Sequence, residues 1–430
     1  MALIDNRRQR LGMLCAMYFA QGVPWGFMTI ALISYLTDRG VGDGDAGELT
    51  AVVLLPWTFK LVWGPLIDTV TIRSMGRRRF WIIAAEFLMA VSLIGILLLG
   101  DLTENLRLLG WMFFIHNCFA SLQDVSTDAL AVDVLPPPEQ GRTNGLMWGS
   151  KLIGKGIGGA VMAMAIDAWG LSGAVMVQFG LLLLLMLFPL LLLERPGEKR
   201  FPWSRGAARG AAADSSFRSP GRVLRDLRRG FSLTSTAVFV VFGTISMVGW
   251  GIVEVITKTL YTQQLGWTFV EVSQVSGSAA LSEMGGALLG GYIADRYGRR
   301  KVMLMGLGGY GLMAIAFALC SALWRETWLT AGYLFLNPGI LAMGTVGYLA
   351  MSMRISWTRA AATVYTIFMT VSNIGHVFGN WLVGPLREGL ALSYVQSFWF
   401  AGLAMAVPLL MLLVVRPAEV DRAKAALTQP

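Results

Sequence analysis

Long apolar stretches separated by short polar punctuation make up most of this chain. A helix needs about 20 apolar residues to cross the hydrocarbon of a bilayer. Stretches of that order run at 11–36, 47–67, 80–100, 108–135, 143–166, 172–193, 232–261, 269–294, 301–323, 327–352, 360–386 and 393–415. Between the sixth and seventh, Glu194 to Gly230 is rich in Arg, Gly, Ala and Ser and has no apolar period. The pattern predicts an all-α membrane protein of twelve transmembrane helices. One six-helix bundle is expected over 1–194, a cytoplasmic linker over 195–230 and a second six-helix bundle over 231–430. Arg222-Val-Leu-Arg-Asp-Leu-Arg-Arg229, inside the linker, suits a short surface helix lying against anionic lipid.

One short loop occurs twice. Gly64-Pro65-Leu66-Ile67-Asp68 is followed by Gly76-Arg77-Arg78-Arg79, and Gly291-Tyr292-Ile293-Ala294-Asp295-Arg296 by Gly298-Arg299-Arg300-Lys301. Each copy closes the second apolar run of its half. Two pseudo-symmetric halves are the mark of a carrier whose site lies between them. The aspartate can pair with a basic group of a neighbouring helix, so Asp68, Arg77, Asp295, Arg296 and Arg299 are candidates for a cytoplasmic gate. Gly22-Val23-Pro24-Trp25-Gly26 and Gly249-Trp250-Gly251 echo one another in the first span of each half. Paired helix interruptions of this kind either point to a substrate site or allow close helix packing.

Composition agrees with the span pattern. The chain is 55% apolar and 14% charged, with a mean hydropathy of +0.60, whereas a soluble domain carries about 25% charged residues. The net charge of +9 does not indicate nucleic acid, because the basic residues sit in short loops rather than on one soluble face. Of 35 lysines and arginines, 27 fall on the side of the two termini and the linker. Positive charge stays cytoplasmic, so both termini are expected there. Arg7-Arg8-Gln9-Arg10 ahead of an apolar run resembles a signal peptide, but the run is long and no small-residue cleavage site follows. It reads as an uncleaved first span. Cys15, Cys118 and Cys320 lack metal-ligand spacing, and the sequence calls for no metal or other cofactor beyond a proton gradient.

Charge inside hydrocarbon is expensive, which makes ionisable residues within the spans functional candidates. Asp124 and Asp128 stand at i and i+4 in the fourth span. Two carboxylates held together at low dielectric do not both ionise easily, so this pair is the candidate proton-coupling site. Lys151 and Lys155 form a matching i, i+4 pair in the fifth span, and Lys60 lies in the second. In the second half Glu254 and Lys258 are again i, i+4, and His376 lies near Asn373. With Gln21, Trp25, Gln123 and Trp250, these residues make up the candidate substrate-binding set; the tryptophans would stack on sugar rings or a nucleobase, or simply pack. Glu283 is a lone acid deep in the eighth span, and Glu86 in the third is expected to be peripheral. No nucleophile–base–acid pattern and no phosphate-binding loop is present, which argues against an enzyme.

The loop signature at 290–301 and its degenerate copy at 64–79 resemble the major facilitator superfamily. Three further stretches narrow the match: Phe59-Lys60-Leu-Val-Trp63-Gly-Pro65-Leu-Ile-Asp68, Gln123-Asp124-Val-Ser-Thr-Asp128-Ala129 ahead of Asp133, and Ala361-Ala-Thr363-Val-Tyr-Thr-Ile-Phe-Met ahead of Asn373-Ile-Gly375. They resemble the family of AmpG-type muropeptide permeases and acetyl-CoA transporters. The chain departs from the muropeptide permeases at Ala131-Val132, and its seventh span, with Glu254 and Lys258, matches them poorly. The resemblance implies a major facilitator fold that works by alternating access, with Lys60, Asp124 and Asp128 as the matching functional positions. The expected activity is proton-coupled import of a muropeptide-like anionic small molecule across a bacterial inner membrane. The expected partners are that solute and the lipid bilayer, with no nucleic acid, and the carrier is expected to be a monomer. Acetyl-CoA or another acyl-CoA, a siderophore and drug efflux are the alternative cargoes.

Overall fold

The computed structural model of the chain describes residues 2–70, 74–76, 78–97, 105–201, 203, 228, 231–356 and 361–428. Among them the chain is a succession of helices. In order they are α1 (Arg7–Asp38), α2 (Asp43–Ile67), α3 (Arg79–Ile96), α4 (Leu106–Val134) and the pair α5 (137–169) and α6 (171–191), divided at Gly170. The second series is α7 (Thr234–Gln264), α8 (Phe269–Tyr297), α9 (Arg299–Leu319), α10 (Thr327–Ile355), α11 (Ala361–Gly384) and α12 (Tyr394–Leu413). The twelve-helix major facilitator fold expected from the sequence is the fold observed. Helices α4, α8 and α11 fall short of the hydropathy that marks the others as membrane spans. These three carry Asp124 and Asp128, Glu283 and His376 respectively, so their polarity goes with candidate function.

Local sequence sets where helices begin, bend and stop. Asn6 caps α1 by accepting from the Gln9 amide, and Thr268 with Glu271 and Ser393 with Gln396 form capping boxes at α8 and α12. Pro24 has no amide hydrogen to give, and the helix widens into a π-helical stretch at Phe27–Leu32 just beyond it. Gly170 takes φ 69° between α5 and α6, and Gly298 takes φ 94° between α8 and α9, both left-handed values that favour glycine.

The chain divides into two compact units, one of residues 1–35 and 52–216, the other of 36–51 and 217–430. In the first unit α1 and α5 cross with their backbones touching. A Cβ added at Gly22 would stand 2.1 Å from the Lys151 carbonyl oxygen, and one at Gly158 2.0 Å from that of Val23. Gly22 with Gly26 and Gly154 with Gly158 are small-residue pairs four apart, the pattern that lets helices pack closely where lipid supplies no hydrophobic drive. Helix α3 packs against α4 and the α5–α6 pair, burying Ile82, Met89 and Leu93.

The second unit repeats this construction. A Cβ at Gly251 of α7 would lie 2.3 Å from the His376 carbonyl oxygen of α11, and one at Gly379 2.1 Å from that of Val248. Buried rings of Phe239, Phe242, Tyr348 and Phe368 fill one part of this unit, and those of Phe317, Tyr333 and Phe398 another. Segment 36–51 belongs to this unit. Asp43 accepts from Arg387 Nε at 2.9 Å and from the Tyr394 hydroxyl at 3.1 Å, and Thr259 also donates to it.

Candidate functional site

Within the first unit, four helices bring a charged and aromatic cluster together. The 3₁₀ stretch Leu55–Phe59 ends at Lys60, which opens the following helical segment. The ammonium of Lys60 lies 2.5 Å from Asp124 Oδ2 on α4. From α5, Lys151 reaches Asp124 Oδ1 at 3.3 Å. Each carboxylate oxygen therefore takes one lysine. Asp124 and Lys151 are almost fully enclosed, whereas the Lys60 side chain is 25% exposed. A buried ion pair persists only where further hydrogen bonds satisfy its polar atoms. Lys151 also donates to Gln21 Oε1 at 3.0 Å, Gln21 Nε2 donates to Gln123 Oε1 at 2.5 Å, and Gln123 Nε2 donates to the Met17 carbonyl at 3.3 Å.

Aromatic rings surround the cations. The Lys151 ammonium lies 4.8 Å from the Trp57 ring centroid and 5.6–5.7 Å from those of Tyr18, Trp25 and Trp148. Lys155 lies 5.0 Å from Trp25, and Lys60 5.3 Å from Trp57. These distances fall within cation–π range, where a desolvated cation gains about 2 kcal/mol or more. The Trp63 indole is held to α4 by a 2.7 Å hydrogen bond to Ser121. Asp128, one turn beyond Asp124, accepts from the Tyr18 hydroxyl. Local spacing accounts for the convergence. Tyr18, Gln21 and Trp25 recur at i, i+3 and i+7 along α1, and Trp148, Lys151 and Lys155 at the same intervals along α5.

Chemically, the cluster offers an anionic group two ammoniums that already share one carboxylate, within walls able to stack on flat or ring-shaped solutes. Of the candidates named from sequence, Gln21, Trp25, Lys60, Gln123, Asp124, Asp128, Lys151 and Lys155 all belong to it. Tyr18 and Trp57 belong as well, and sequence reasoning missed them. An aromatic residue at helical spacing looks the same whether it lines a site or fills a core, and the one available signal was that Tyr18 shares a helix face with Gln21 and Trp25.

The remaining candidates lie in the second unit. His376 Nε2 and Glu254 Oε2 are 2.7 Å apart, and the Trp250 ring stacks on His376 with centroids 3.6 Å apart. Lys258 is 3.9 Å from Glu254 Oε1 and donates to the Glu254 carbonyl at 2.9 Å. Asn373 is half-buried one turn before His376 on α11. Glu283 is buried on α8. Among the described residues, no group of three or more His, Cys, Asp or Glu side chains is arranged to hold a metal ion.

At the loop between α2 and α3, Arg77 and the Asp68 side chain lie outside the described residues. The neighbouring arginines make the contacts seen there. Arg78 Nε pairs with Asp133 at 2.9 Å. Arg79, fully buried, donates to the carbonyls of Pro189 and Lys199 at 2.7 and 3.1 Å and pairs with Glu198 at 3.5 Å. Glu198 also accepts the Glu194 amide at 2.9 Å. Burial, with the nearby Glu194 carboxyl adding to it, pushes the Glu198 carboxyl up to about 7. In the second copy of the loop, Asp295 and Arg296 are exposed and Arg299 is half-buried. Arg296 bonds the Tyr292 hydroxyl at 3.0 Å, and no ion pair joins Asp295 to another described residue.

A family model for the Major Facilitator Superfamily matches residues 14–380. The anhydromuropeptide permease of Escherichia coli strain K12 is 24% identical over 412 residues, covering 95% of this chain and 80% of the relative. An uncharacterised protein of Haemophilus influenzae is 24% identical over 428 residues, covering 96% of each chain. Among solved structures, a nucleoside transporter, NupG, is similar with a TM-score of 0.70 at 15% identity, covering 97% of this chain and 100% of the other. A D-xylose-proton symporter is similar with a TM-score of 0.71 at 12% identity, covering 96% and 98%.

Proposed function

We propose that this chain, which belongs to the Major Facilitator Superfamily, imports a muropeptide-like anionic solute together with protons. It is a multi-pass membrane transporter and not an enzyme. The observation that carries the proposal is Asp124 held between Lys60 and Lys151 inside a ring of aromatic side chains. An acidic group on the cargo competes with Asp124 for the same two ammoniums. When the cargo takes them, Asp124 is left as an enclosed carboxylate without its counter-ions, a state that costs several kcal/mol and is relieved by binding a proton. Cargo and proton therefore bind together, the thermodynamic requirement for symport. Asp128, held by Tyr18, is the second acid available to the coupling, and Trp25, Trp57 and Trp148 offer faces for sugar rings.

The anhydromuropeptide permease relative supports an anhydro-muropeptide as the cargo. In the second unit His376, Glu254, Trp250, Lys258 and Asn373 are the substrate-binding candidates, and Asp295, Arg296 and Arg299 act at its cytoplasmic loop. The carrier works as a monomer in the bacterial inner membrane, with both termini cytoplasmic, by alternating access and on the proton gradient alone. The test is uptake of an anhydro-muropeptide into proteoliposomes across a pH series. Asp124→Asn is expected to lose acid-stimulated uptake. Transport by Asp124→Asn equal to wild type at every pH would remove Asp124 from the coupling.

A further inference from the structure

Glu86 on α3 is completely buried, and neither carboxyl oxygen makes a hydrogen bond of good geometry. The side chain that acts on it is the Gln123 amide of α4. No charged or titratable group among the described residues of α4, α5 or α6 acts on it. Farther along α3, His116 of α4 is engaged with Ser92 Oγ and the Met89 carbonyl. An ionised carboxylate is poorly tolerated in such surroundings. An un-ionised carboxylic acid fits the site, because it offers one O–H donor and one carbonyl acceptor. Gln123 has both complements free. Its oxygen takes one hydrogen from Gln21 and keeps a second lone pair, while its nitrogen gives one hydrogen to Met17 and keeps another.

Gln123 is also the far end of the chain of contacts that runs through Gln21 to Lys151 and Asp124. We infer that Glu86 is a further proton-binding residue of the transporter, besides Asp124 and Asp128, linked through the amides of Gln123 and Gln21 to the Lys151–Asp124 pair. This inference rests on the proton-coupled reading above. When cargo draws Lys151 from Gln21, the two amides lose their anchor and the Gln123 oxygen is freed to accept the Glu86 O–H, so the proton is held while cargo is bound. When cargo leaves and Lys151 returns to Gln21, that acceptor is withdrawn and the proton passes to water. One O–H bond of Glu86 forms or breaks, and no other reactant is needed.

Two measurements on Glu86→Gln decide it. The first needs no cargo: infrared pH-difference spectra of the protein in lipid vesicles. Wild type is expected to keep the C=O stretch of an un-ionised acid at neutral pH, and Glu86→Gln to lose it. Gln123→Leu, which removes the hydrogen-bonding partner, is expected to shift the same band. The second uses an anhydro-muropeptide in proteoliposomes. Glu86→Gln is expected to exchange it at equal pH as wild type does, yet lose the roughly tenfold accumulation that a gradient of about one pH unit supports. An unchanged infrared band, or undiminished gradient-driven accumulation, overturns the inference. If wild-type protein moves neither the anhydro-muropeptide nor protons, the parent reading falls and the coupling role of Glu86 falls with it. The infrared band then still reports whether Glu86 holds a proton, which separates the two failures.

Discussion

Replacing Lys151 with methionine separates the two cations of the cluster. Lys151→Met removes the 3.3 Å pair with Asp124 and the 3.0 Å hydrogen bond to Gln21. It leaves Asp124 with Lys60 at 2.5 Å, so no carboxylate is stranded. The lost charged hydrogen bonds and ring contacts amount to about 2–4 kcal/mol. Against this, an enclosed ammonium no longer has to be stripped of water, a saving of several kcal/mol in an unpaired site and roughly half that in a shared one. The net expectation is a loss of about 1 kcal/mol. Asp124→Asn, by contrast, leaves two ammoniums without their shared anion, and breaking a buried pair in this way costs about 3–5 kcal/mol. Reversible unfolding in mixed detergent–SDS micelles measures both. Lys151→Met is expected to unfold close to wild type and Asp124→Asn well before it. Equal destabilisation by the two variants would refute the argument, since it would mean that Lys60 alone does not neutralise Asp124. Lys151→Met is also expected to bind an anhydro-muropeptide more weakly, because one of the two anion-binding groups is gone.

Two further outcomes follow from packing and from pH. Gly158→Ala places a methyl 2.0 Å from the Val23 carbonyl and must push α1 off α5, an overpacking cost of about 1–3 kcal/mol in the same unfolding assay. Gly145→Ala, with nothing within 4 Å, is expected to be neutral or stabilising by about 0.5–1 kcal/mol, and equal losses at both positions would contradict the crossing geometry. Glu198 holds its proton more tightly in the fold, up to about 7 against an ordinary 4.5, so the folded state binds more protons than the unfolded chain. Its contribution to stability is complete below about pH 4.5 and is lost as pH rises through about 7. Thermal unfolding across that window should slope downward in wild type and flatten in Glu198→Gln, and an unchanged slope in the variant would assign the effect elsewhere.

Much of this protein is readable residue by residue. Whether a segment partitions into lipid depends on its own length and side chains, so most of the spans stand out one at a time, and the more polar α4, α8 and α11 stand out less. The internal loop repeat pointed to the superfamily. Ionisable residues such as Lys60, Asp124 and Lys151 were conspicuous because their burial is costly wherever the helix faces. Caps at Asn6, Thr268 and Ser393 and the glycine breaks at Gly170 and Gly298 are equally local.

What each group meets is a different matter, because it depends on how every helix is rotated and where it crosses its neighbours. Spacing put carboxylates on the fourth span and ammoniums on the second and fifth, but it did not bring Lys60 and Lys151 onto one carboxylate or turn Lys155 toward Trp25. Tyr18 became a wall of the cluster through the glycine crossing that draws α1 against α5, and Trp57 through the approach of α2 to Lys151. Glu86 looked peripheral in sequence and is fully enclosed in the fold. Hydropathy reports a transfer free energy summed over a span, and that sum does not change when the span turns about its axis. The partners of its polar groups do change, and only tertiary packing selects them.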